Sequence, residues 1–118
     1  RIDKYGLDYL FAKVDSEFWQ GLDLFSVNLE GTVTDAGYNY DPVKAYDFAF
    51  APDTVAQLKK YNINFFNLAN NHIDDQGLKG IEQTRSNLDK LGYNYAGCPN
   101  GIISDCSTKV ITRSAWWA

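Results

Sequence analysis

NINFFNLANNHIDDQG, residues 62 to 77, changes character halfway along. Its first half, NINFFNLA, is a largely apolar run too short for a stable helix, and it reads as a strand buried on both faces. Its second half, Asn70-Asn71-His72-Ile73-Asp74-Asp75, is made of loop formers whose short polar side chains bond nearby backbone. GLKGIEQTRSNLDKLG, residues 77 to 92, then returns to helical spacing, with Leu78, Ile81, Leu88 and Leu91 on one stripe and Gly92 to end it. Strand, loop, helix is the repeating unit of a parallel sheet, and the rest of the chain extends it in both directions.

Upstream, PDTVAQLKKY, residues 52 to 61, predicts a helix. Pro52 suits the first turn, Asp53 favours the positive end, and Val55 and Leu58 form one face. LFSVNL, residues 24 to 29, predicts an earlier buried strand. Residues 30 to 50 predict a long loop with Gly31, Gly37, Asn39 and Pro42. Further back, Leu7, Leu10, Phe11, Val14 and Phe18 have the spacing of one amphipathic helix. Downstream, YNYAG, residues 93 to 97, predicts a third strand, and KVITRSAWW, residues 109 to 117, is a candidate fourth. Strands alternating with helices imply parallel pairing through right-handed crossovers, an α/β class with a parallel βαβαβ core.

With 118 residues, 45% of them hydrophobic, the chain can supply one core and reads as a single domain or part of one, residues 1 to 118. The net charge is −4 and no basic stripe is present, which argues against a nucleic-acid partner. No apolar run approaches a membrane span. The chain starts at Arg1, has no methionine and stops at Trp116-Trp117-Ala118, so it is expected to be an excerpt of something longer. Trp116 and Trp117 are then expected to be core residues. Cys98 and Cys106 either close a small loop over PNGIISD or remain two thiols. Tyr38, Tyr40, Tyr46 and Phe48 either border a groove or pack as loop core, and packing is the expected outcome.

In a parallel sheet the strands ending in Asn28-Leu29-Glu30 and Asn70-Asn71-His72 finish on the same rim, where open α/β sheets bind ligands. Glu30 and the single histidine, His72, are thus expected to converge. A carboxylate, an amide oxygen and an imidazole together can bind a divalent metal or move a proton. The plainer alternative is a structural turn. Asp74 and Asp75 are candidate ligands as well, but for Asp75 the expected role is a helix cap. No dinucleotide-binding or Walker loop is present, and no other cofactor-binding residues stand out.

At these residues the chain resembles a known family. NLEGTVT, residues 28 to 34, resembles the NLE-x-P-x-T segment of the CapA family of bacterial capsule-synthesis proteins, the poly-gamma-glutamate type. LANNHIDDQGLKGIEQTRSNLDKLGYNYAG, residues 68 to 97, resembles its LANNH-x-x-D-x-G-x-x-G signature, with His72, Asp75, Gly77, Gly80, Thr84, Leu88 and Gly92 in register. The resemblance covers about residues 5 to 100. It implies a partial metallophosphatase-like layered α/β sandwich with a di-metal centre at the strand ends. It further implies Asn71 and Glu30 as metal ligands. His72 becomes the catalytic residue, touching a substrate oxyanion or protonating a leaving group. Asn28 and Asn70 become supporting groups behind the ligands.

The same resemblance implies two divalent ions as cofactors and an anionic polymer or phosphate-containing substrate. It also implies a membrane capsule-synthesis complex as partner and an anchored, cell-surface location. Three features depart from the family. Thr32 stands where proline is frequent, no Gly-Asp strand precedes the first helix, and no histidine follows His72. Two hypotheses result. The full-length protein is a metal-dependent hydrolase or transferase, or it is a non-catalytic binding or assembly subunit that keeps the fold without metals. The fold itself does not choose between them.

Overall fold

Asn28 of one strand stands beside Asn67 of the next, and this register places both strand exits on one rim. The computed structural model describes residues 2–14, 16–35, 47–97 and 110–112. In it, β1 (Ser26–Asn28), β4 (Phe65–Asn67) and β5 (Asn94–Ala96) form a three-stranded sheet in the order β1-β4-β5, parallel throughout. The crossover from β1 to β4 contains α3 (Pro52–Ala56), and that from β4 to β5 is α4 (Gly77–Leu91). The βαβαβ core expected from the sequence is therefore present, as part of a metallophosphatase-like α/β domain.

Local chemistry explains the element ends. Pro52 opens α3 with Asp53 in its first turn, and a 3-10 turn over Gln57–Tyr61 continues it. Asn62, in the left-handed region at φ 61°, ends that turn and sends the chain into β4. Gly92 ends α4 in the same way, its N–H bonding back to the carbonyls of Asp89 and Leu88. Ile81 and Leu88 of α4 are buried, packing with Val55, Ile63, Phe66, Leu68 and Tyr93 in the main core. Leu78, assigned to the same stripe by spacing, is 71% exposed. It sits in the first turn on a solvent-facing side, while Gly80 of the same turn is buried beside Thr32.

Three expectations are corrected. The single helix through Leu7 to Phe18 is two elements, α1 (Ile2–Phe11) and α2 (Ser16–Gln20). Gly6 is non-helical within α1 and a turn follows Phe11, so helical phase does not carry from one apolar residue to the next. Leu7 and Trp19 become the buried anchors, with Tyr61, in a second cluster. Leu10, Val14 and Phe18 are exposed.

The loop over residues 30 to 50 contains β2 (Thr32–Val33) and β3 (Ala49–Phe50), paired in parallel. On its other side β2 meets side chains of α4 in place of a strand. The Val33 N–H donates to Thr84 Oγ1 at 2.9 Å, and Asn87 Nδ2 donates to the Val33 carbonyl at 2.9 Å. Helix side chains thus satisfy backbone groups that would otherwise be buried without partners.

The candidate fourth strand is not seen at Val110–Thr112, which has no regular structure. The remainder of that stretch, Cys98, Cys106, Trp116, Trp117, Tyr38, Tyr40 and Tyr46 lie outside the described residues.

Candidate functional site

The exits of β1 and β4 are held together by one amide side chain. Asn70 Nδ2 donates to the Leu29 carbonyl at 2.8 Å and to Asn28 Oδ1 at 3.2 Å. Its own Oδ1 accepts the His72 N–H at 3.0 Å. Asn28 in turn directs Nδ2 to Glu30 Oε2 at 3.4 Å. Beneath this brace the Leu29 N–H bonds the Asn67 carbonyl at 3.0 Å, so the sheet pairing continues to the edge of the site. Buried Ile73 pins the following turn to the core. Two residues far apart in sequence are thereby set face to face, with His72 Nε2 3.8 Å from Glu30 Oε1. That separation exceeds a hydrogen bond.

The other face of the imidazole is enclosed. His72 Nδ1 lies 2.9 Å from Asp75 Oδ2, and the Asp75 side chain has no exposed surface. The same oxygen accepts the Phe48 N–H at 2.7 Å. The Phe48 ring leans on the imidazole, with centroids 4.7 Å apart at 59°. Gly31 makes room for it. A side-chain carbon at Gly31 would stand 2.7 Å from Phe48 Cβ, and its φ of 141° is one that side-chain-bearing residues rarely adopt.

The structure therefore brings Glu30, His72, Asn28 and Asn70 into one bonded cluster. Asn71 lies exposed on the chain immediately before His72. Asp75 is not a helix cap. Gln76 occupies the cap position of α4 without a side-chain cap bond, and Asp75 faces inward to His72. Both Asp75 and Phe48 are site residues whose place the sequence reading missed. The signal for Asp75 was its spacing. Residues three apart on a helical turn share a face, so His-x-x-Asp brings the two side chains together. Nothing local pointed to Phe48, because only tertiary folding carries β3 to the His72 turn.

Among the described residues no group of three or more His, Cys, Asp or Glu side chains is placed to hold a metal ion. Glu30 and Asp75 approach different nitrogens of the imidazole, Glu30 at Nε2 and Asp75 at Nδ1. What remains for a divalent cation is the Glu30 carboxylate, one imidazole nitrogen and the exposed Asn71, the residue just before His72 in the chain. These donor types suit such an ion but make up only part of a coordination shell. The buried carboxylate behind the ring is the arrangement that orients histidines at metal sites.

The chain matches the family described as Bacterial capsule synthesis protein PGA_cap over residues 1–113. It is also 32% identical, over 98 residues, to the capsule biosynthesis protein CapA of Bacillus anthracis. That alignment takes in 81% of this chain and 24% of the relative, so the chain spans about a quarter of that protein's length. A match across nearly the whole sequence, together with the parallel α/β core and its polar rim, shows that the chain belongs to the PGA_cap family of bacterial capsule synthesis proteins.

Proposed function

We propose that the full-length protein is a metal-dependent hydrolase or transferase of capsule biosynthesis, acting on an anionic polymer or phosphate-containing substrate at the bacterial cell surface. The observation that carries this reading is the convergence of Glu30 and His72, 3.8 Å apart at the carboxyl rim of a parallel sheet. In this reading Glu30 and Asn71 contribute to holding divalent metal, with further ligands from elsewhere in the full-length protein. The metal would supply charge stabilisation and an activated water. His72 contacts the substrate oxyanion or passes a proton to the leaving group. Asn70 and Asn28 hold the two strand exits and the Glu30 carboxylate in place. A poly-gamma-glutamate chain suits this reading as substrate, because a rim lined with bound metal would attract its carboxylates. Assembly with a membrane complex belongs to the same proposal. Among the described residues no helix is long and apolar enough to cross a membrane.

The test is metal content of the full-length protein purified without chelators, beside its Asn71→Ala and Glu30→Gln variants. About two bound divalent ions, lost or weakened in the variants, are expected. A wild type without metal at any reasonable metal concentration would transfer the protein to the non-catalytic binding-subunit reading.

A further inference from the structure

Asp75 is fully enclosed, yet its Oδ2 meets two nitrogens, the Phe48 amide at 2.7 Å and His72 Nδ1 at 2.9 Å. The Phe48 amide can only donate, so Oδ2 is already an acceptor. A carboxylate with no proton on Oδ2 has none to offer there, and the second close nitrogen then donates too. We propose that Asp75 is the positioning residue of the site: it holds the His72 proton on Nδ1, leaves Nε2 as the basic nitrogen facing Glu30, and ties the imidazole to the β3 segment through Phe48.

Two observations and one general cost converge on this assignment. Asp75 is 2% exposed, so water does not compete for its oxygens. Buried carboxylates short of donors are costly, so each of these two bonds stabilises the folded chain. The Phe48 ring packs at 4.7 Å against the ring whose tautomer is being set, on the residue that leads into β3. The consequence is a defined chemical polarity. Nε2, 3.8 Å from Glu30 Oε1, carries the lone pair in the neutral ring and is the nitrogen that takes up the proton His72 can then present to an oxyanion or a leaving group. The assignment deepens the reading of His72 as the working residue but is measured without activity or metal.

The experiment is nitrogen NMR of the imidazole in the full-length protein labelled with 15N-histidine, without added metal and at a pH where the ring is neutral. The His72 signals are identified by their loss in His72→Gln. A protonated Nδ1 and an unprotonated Nε2 are expected in the wild type. Asp75→Asn keeps an oxygen acceptor and should retain that pattern. Asp75→Ala should release the ring into a mixture of tautomers and shift the Phe48 amide at the same time. A wild-type proton on Nε2 overturns the proposal without recourse to any variant. So does an unchanged tautomer in a folded Asp75→Ala. Either result leaves the metal reading standing, and absence of metal would leave the tautomer result standing.

Discussion

Glu30 Oε1 and His72 Nε2 face each other at 3.8 Å, one exposed at the edge of β1 and the other mostly enclosed beyond β4. The two residues differ in what lies behind them. Glu30 is about half exposed and can rehydrate when its partner is lost. His72 covers the buried Asp75 carboxylate. Glu30→Gln is therefore expected to change stability by no more than about 0.5 kcal/mol. His72→Ala should cost about 1–3 kcal/mol, because Asp75 loses one of its donors. Denaturant titration of both variants checks this, and equal effects would contradict the asymmetry. In the full-length protein both changes should depress activity.

Gly97 is expected to be irreplaceable for a reason separate from the chemistry. A side-chain carbon there would stand 2.6 Å from the Ala69 nitrogen and 2.9 Å from the Leu68 carbonyl carbon. Its φ is 133°. Gly97→Ala must push on the backbone that leads into Asn70 and His72, at a cost of about 1–3 kcal/mol. The same variant should weaken metal binding in the full-length protein, although Gly97 carries no functional group. Unaltered stability would show that the rim can shift freely.

Helix α4 offers a paired test of its buried face. Leu88 is 0% exposed, and Leu88→Ala should lose about 2–5 kcal/mol. Leu78 is 71% exposed, and Leu78→Ala should stay within about 0.5 kcal/mol. Thermal or chemical unfolding of the pair decides it, and similar losses would mean that α4 is rotated from the orientation described.

Thr84 is expected to matter through its hydroxyl more than its methyl. Oγ1 accepts the Val33 N–H at 2.9 Å and donates to the Gly80 carbonyl at 2.7 Å. Thr84→Val keeps the volume but leaves the Val33 N–H buried without that partner, at about 1–3 kcal/mol. Hydrogen exchange at Val33 should accelerate; retained protection would argue that another acceptor takes over.

Alkaline pH is expected to unfold the chain through its buried phenols. Burial pushes Tyr93 up to about 12 from an ordinary 10.0, and its hydroxyl donates to the Val55 carbonyl at 2.7 Å. Burial, then the hydrogen bond to Asp8, does the same for Tyr61. A raised folded-state value means that the folded protein holds its proton more tightly than the unfolded chain. The contribution is thus complete below pH 10.0 and is lost as pH rises through about 12. Tyr93→Phe should flatten that decline while lowering stability at neutral pH through loss of the hydrogen bond. An unchanged alkaline limb would remove Tyr93 as a contributor.

Sequence alone determined the parallel α/β core, because apolar runs such as NINFFNLA alternate with a helix whose Ile81 and Leu88 recur at helical spacing. It also determined that Glu30 and His72 finish on one rim, since parallel strands end on the same side. The family was readable as well, from residues spaced through α4. Tertiary structure decided what spacing could not. The N-terminal helix broke into two because Gly6 and the turn after Phe11 reset its phase, which buried Trp19 in place of Phe18. The loop after Glu30 yielded β2 and β3 because Thr84 and Asn87 of a distant helix supply the partners that β2 needs. Asp75 turned inward because His72 and the Phe48 amide both require an acceptor there, and a local reading of Asp75 as a cap contains neither of them.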